Sequence, residues 1–81
     1  MKVRLLFFAV LRDITGKGEE EIDLPEGTRA GDVWNRLRQK HRELAGYERP
    51  PMTAVNEAYV SADQLLCEGD EVAFIPPVAG G

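Results

Sequence analysis

The chain has 81 residues, enough for one small domain and not two. Hydrophobic residues make up 43% and charged residues 30%, the balance of a soluble globular protein and not of a disordered one. Fourteen acidic residues against ten Lys and Arg give a net charge of −4, which argues against nucleic acid as a partner and for a partner with a basic surface.

Met1 to Ala9 reads as a strand, with Val3, Leu5 and Phe7 on one face and Lys2, Arg4, Leu6 and Phe8 on the other. "ITGKGEE" breaks it, since Gly16 and Gly18 accept positive φ. Glu20, Ile22 and Leu24 then predict a second strand, in a hairpin with the first. The acidic run from Gly18 to Asp23 reads as a solvated edge or turn. "LPEGT" stops the strand, and Thr28 is the expected N-cap of a helix from Ala30 to about Arg42, with Asp32 in its first turn. Val33, Trp34, Leu37 and Leu44 fall near one stripe of that helix. "AGYERPP" is a loop and Met52 to Asn56 a short strand. Asn56 and Glu57 form a turn before "AYV" resumes extended structure. "SADQLLCEGD" is a connection with an expected helical turn at Ala62 to Leu65, closed by a turn at Gly69 and Asp70. "EVAFI" is the last strand, apolar enough to lie centrally beside the first.

One helix covers only one face of such a sheet. The expected fold is therefore α+β: a β-grasp, ubiquitin-like mixed sheet over residues 1–75, with one main helix on one face, followed by an extended tail over residues 76–81. The opposite face, carrying Leu6 and Phe8, is left open.

Enzyme constellations are thin. His41 is the one histidine and Cys67 the one cysteine, so neither a metal-ligand spacing nor an intrachain disulfide is available. A Cys67–His41 thiol enzyme is the weakest reading. Glu19, Glu20 and Glu21 are consecutive, so on a strand they alternate faces and do not make a site. No glycine-rich phosphate loop opens a helix. "LLFFAVL" is too short to span a bilayer. With no signal peptide and one cysteine, the expected setting is the cytoplasm, with no membrane contact.

The tail carries the chemistry. Pro76 and Pro77 fix φ and favour extended geometry, so they direct the chain outward. Residues 76–81 reach roughly 20 Å when extended. Gly80 and Gly81 have no Cβ, so a partner can close around them and attack the terminal carbonyl unhindered.

"GDEVAFIPPVAGG", with "VRLLFFAVLRDITG" near the start and "AVN" at Ala54 to Asn56, resembles the small subunit of molybdopterin synthase over nearly the whole chain. Ala79 stands where many members of that family carry Ser or Thr. The resemblance implies that Gly81 is adenylated by a separate ATP-dependent enzyme and converted to a thiocarboxylate. The tail, with Gly80 giving access, then enters the large synthase subunit, and the sulfur passes to a precursor pterin to build the molybdopterin dithiolene. It implies that the chain is a co-substrate and not a catalyst alone. It implies no cofactor or metal bound to the chain itself, and a tetramer of two kinds of chain as the family's usual assembly. Phe8, Tyr59 and Ile75 are expected to alternate away from the helix-covered side on three separate strands, and the resemblance implies that they, with Pro76, Pro77 and Arg12, contact the large subunit. Two alternatives remain: the thiamin-pathway sulfur carrier, which shares the fold and the Gly-Gly end, and a ubiquitin-like modifier conjugated to lysine.

Overall fold

The computed structural model describes residues 1–46 and 51–75. Five strands and two helices follow in the order β1 (Lys2–Phe7), α1 (Val10–Thr15), β2 (Glu19–Asp23), α2 (Ala30–Lys40), a 3-10 turn (Arg42–Gly46), β3 (Met52–Val55), β4 (Ala58–Val60) and β5 (Glu71–Ile75). They build one mixed sheet of order β2-β1-β5-β3-β4. β1 and β5 run parallel at its centre, and the hairpins β1–β2 and β3–β4 flank them. This is the expected β-grasp topology, with the last strand central.

The period-2 patterns decide what each face does. Val3, Leu5 and Phe7 of β1 and Val72 and Phe74 of β5 are at most 2% exposed. They meet Val33, Trp34 and Leu37 of α2 in one core, with Leu44 following from the 3-10 turn. Trp34 and Phe74 pack with ring centroids 5.6 Å apart at a tilt of 42°, a favourable aromatic geometry.

Local structure departs from the sequence reading at three places. β1 ends at Phe7 instead of Ala9, and a short helix that the sequence did not announce, α1, follows it. Ala9 turns the chain at φ 51°, and Leu11 anchors α1 in the core. Thr15 Oγ1 donates to the Leu11 carbonyl (2.9 Å), and Gly16 in the left-handed region ends the helix. Six residues without a side-chain cap carry too little helical signal to compete with their strand-like composition.

Thr28 is not the N-cap. Its hydroxyl donates to the Pro25 carbonyl (2.7 Å) inside the preceding turn, and Arg29 takes the cap position. Asp32 lies in the first turn as expected, and its carboxylate accepts the Arg29 N–H (2.9 Å). The β4–β5 connection also forms no helical turn through Leu65. Gln64 N–H closes a tight turn onto the Ser61 carbonyl (3.2 Å), and Leu65 forms a bridge with Arg29. The tertiary reason lies in α2. Its first N–H groups have no partner within the helix, and the connection supplies them: Ala30 N–H donates to the Gln64 carbonyl (2.9 Å) and Gly31 N–H to the Ala62 carbonyl (2.9 Å). That approach requires a glycine, because a Cβ at Gly31 would sit 3.0 Å from the Ala62 Cβ.

Candidate functional site

The expected reactive residues Gly80 and Gly81, and the spacer Pro76 and Pro77, lie outside the described residues. The described fold does define where the tail departs. β5 ends at Ile75 in the middle of the sheet. Phe7 pairs with Phe74 in the parallel register, so Phe8 leaves β1 alongside Ile75. Met52 pairs with Ile75 from the other side. The tail therefore starts between two neighbours that both carry exposed apolar side chains.

Register also assigns the open face. Leu6, Ala73, Ala54 and Tyr59 stand in one row across β1, β5, β3 and β4. With Phe8 and Ile75 they line a shallow depression of about 310 Å3, with Glu57 and Glu71 at its polar end. Phe8 is 47%, Met52 56% and Tyr59 66% exposed, so no helix covers them. An apolar patch of this kind on so small a domain is a candidate partner site. The expectation that Phe8, Tyr59 and Ile75 share this side on three strands needs one correction. Tyr59 is on β4 and Ile75 on β5, but Phe8 lies just past the end of β1, where the chain turns into α1. The sequence reading omitted Met52. Its signal was the alternation of Met52 with Ala54, which becomes informative only once Ile75 is known to be its neighbour.

Arg12 sits exposed on α1, and its guanidinium Nε lies 3.7 Å from the position a Cβ would take at Gly18. Gly18 accepts the Phe7 N–H (2.9 Å), so Arg12 belongs to the same end of the sheet as the tail exit. At the other end of the face, Arg4 donates to Glu71 across β1 and β5. That hydrogen bond first, and the Glu71 charge second, raise the Arg4 pKa above its ordinary value.

His41 and Cys67 are not brought together by any bond. His41 closes the C-terminal end of α2, donating its N–H to the Leu37 carbonyl (2.8 Å). Cys67 is exposed in the β4–β5 connection, its N–H held by the Asp70 carboxylate (2.8 Å). Among the described residues no three His, Cys, Asp or Glu side chains are grouped to hold a metal, and no helix is long and apolar enough to cross a membrane.

The model of the ThiS family matches residues 5–81. The chain belongs to the ThiS family. It is 39% identical over 83 aligned positions to a human protein named molybdopterin synthase sulfur carrier subunit, covering 99% of this chain and 94% of the relative. A solved structure from Pyrococcus furiosus, described as a putative molybdopterin converting factor subunit 1, superposes with a TM-score of 0.83 at 35% identity, covering 96% of this chain and 99% of that one. A Helicobacter pylori structure shares the fold at a TM-score of 0.67 and 22% identity, with 100% of both chains covered; it was solved as a complex of subunits 1 and 2 of molybdopterin-converting factor. The ThiS family match spans the open-face residues and the Gly-Gly segment together.

Proposed function

We propose that this chain is the sulfur carrier subunit of a molybdopterin synthase, acting in the cytoplasm through the carboxyl group of Gly81. A carboxylate is a poor electrophile. Joined to AMP by an ATP-dependent activating enzyme, with pyrophosphate released, it gains a good leaving group. A sulfur nucleophile then attacks the carbonyl carbon, the bond to AMP breaks, and a thiocarboxylate remains. Its sulfur is a strong nucleophile near neutral pH, as a thiolate is. In the large subunit that sulfur bonds to a carbon of the precursor pterin, water attacks the glycyl carbonyl carbon, the bond from that carbon to sulfur breaks, and the carrier leaves with its carboxylate restored.

The observation that carries this reading is the match through residue 81, combined with near full-length similarity to a subunit bearing this name. The open face supports it in physical terms. Phe8, Ile75 and Tyr59 offer an apolar docking patch beside the tail exit, with Arg12 at the same end, while Pro76 and Pro77 stiffen the spacer and Gly80 leaves its backbone approachable. Cys67 has no part in it, because the carried sulfur is on Gly81.

The test is mass spectrometry of the protein isolated from cells that contain its activating enzyme. The expected product gains the mass difference between sulfur and oxygen on Gly81. Deleting Gly81 should abolish that gain and leave the fold unchanged, since a terminal residue contributes little to the core. An intact protein that stays an ordinary acid beside activator, ATP and sulfur donor would refute the reading.

A further inference from the structure

We propose a second docking site, separate from the open apolar face: the free edge of β2 together with the cleft between β2 and α2, fitted to an extended peptide that alternates apolar residues with Lys or Arg. Among the described residues β2 is the outermost strand of the sheet. Its ladder with β1 shows which backbone groups are unused. Leu24 and Met1 exchange both bonds (2.7 Å each), and Phe7 N–H reaches the Gly18 carbonyl (2.9 Å). Antiparallel pairs alternate, so Ile22 and Glu20 turn their N–H and C=O groups toward β1. Glu19, Glu21 and Asp23 turn theirs outward, where an added strand would pair with them.

The two sides of that edge ask for different side chains. On the helix side lies a cleft of about 400 Å3 with Leu5, Ile22, Val33 and Leu37 on its floor. Its rim charge is balanced, since Glu20 and Asp23 stand against Arg36 and Lys40, and Glu20 pairs with Lys40 (3.4 Å) and Lys17 (3.6 Å). This side suits an apolar side chain. On the other side stand the carboxylates of Glu19, Glu21 and Asp23, alternate residues of β2 and all exposed. On β1, Lys2 stands opposite Asp23 and Arg4 opposite Glu21. But Arg4 is paired with Glu71, and the one ion pair of the three carboxylates among the described residues is Lys2–Glu21 (3.7 Å), so the carboxylates outnumber the cations beside them. This side suits cations. A second copy of the chain is disfavoured at the same edge, because β2 against β2 would set these carboxylates against each other. Charge complementarity therefore selects a basic, alternating segment of another protein. The proposal does not depend on the tail chemistry.

The probe is a capped peptide of about seven residues alternating valine and lysine, titrated into the isotope-labelled full chain and followed by amide chemical shifts. Shifts are expected at Glu19, Glu21 and Asp23 and in α2 at Val33 and Leu37, with little change at Tyr59. An alternating valine–glutamate peptide should not bind. A peptide with the same valines and lysines sorted into two blocks should bind about tenfold more weakly. Glu21→Pro removes an outward N–H without touching the β1 ladder, and should abolish binding while amide dispersion remains native. Glu19→Lys with Glu21→Lys should weaken binding about tenfold. If either variant fails to fold, the three peptides on the unaltered chain still decide. Equal binding of the block peptide, binding of the glutamate peptide, shifts centred on Tyr59, or no shift at millimolar peptide would each overturn the proposal. So would concentration-dependent shifts at β2 without any peptide, which would identify a second copy as the occupant.

Discussion

The two faces of the sheet are made from the same strands and do opposite work. Along β1, Val3, Leu5 and Phe7 are buried, while Lys2 and Arg4, and Phe8 just past its end, are exposed. Along β5, Val72 and Phe74 are fully buried, while Ala73 and Ile75 look the other way. Hydrophobicity alone does not separate the sides, since Leu6, Phe8 and Ile75 are as apolar as their neighbours. Among the described elements α2 covers one face, and the apolar residues on the other face stay exposed, as a docking surface would require. In a chain this short, an apolar side chain outside the core is a better guide to function than one inside it.

The comparison can be broken most severely from the covered side. Phe74→Ala should cost about 3–5 kcal/mol, because it removes a fully buried ring and its contact with Trp34. Denaturant unfolding checks this, and a loss below about 1 kcal/mol would mean that the core does not centre on β5. On the open side, Phe8→Asp should leave stability within about 0.5 kcal/mol, yet weaken association with a large synthase subunit tenfold or more. Calorimetric titration alongside an unfolding curve separates the two effects, and collapse of the fold would assign Phe8 to the core. Gly31→Ala tests how the covering helix is held. The helix-propensity gain of about 1 kcal/mol is set against crowding of about 1–3 kcal/mol at Ala62, whose carbonyl is already bonded to the Gly31 N–H. A net loss of about 1 kcal/mol is expected by thermal unfolding, and a net gain would show that the connection yields freely. Smallest is Ala9→Gly, where β1 leaves the sheet. Ala9 holds φ 51° and ψ −126°, which glycine adopts without strain, so the variant should be up to about 1 kcal/mol more stable. A destabilised variant would mean that the Ala9 methyl packs usefully at the tail exit.

Much of the architecture was readable before any coordinates. The hairpin of β1 and β2, the helix α2 with Val33, Trp34 and Leu37 on its buried stripe, and the central β5 all follow from periods of two and 3.6. The turns followed from residue type: Asn56 and Glu57 occupy positive φ as a tight hairpin requires, and Gly69 does so before β5. The site was less readable. Tyr59 and Ile75 were found by alternation, but Met52 required the β3–β5 register, and the β2–α2 cleft required knowing that β2 is an edge with α2 lying over its inner side.

By itself the sequence determined the order and type of the long elements, the apolar alternation of the central strands and the Pro-Pro spacer before Gly80 and Gly81, because each rests on residues within a few positions of one another. Tertiary structure decided what depends on distant partners. The burial of Leu11 holds α1 in place where the short segment has little helical drive of its own. Thr28 is drawn into a turn because Arg29 and Asp32 cap α2, and the carbonyls of Ala62 and Gln64 complete that cap from the far end of the chain. Which apolar residues become core and which become surface was settled by the side on which α2 lies, a choice made by the packing of whole elements and not by any residue's own preference.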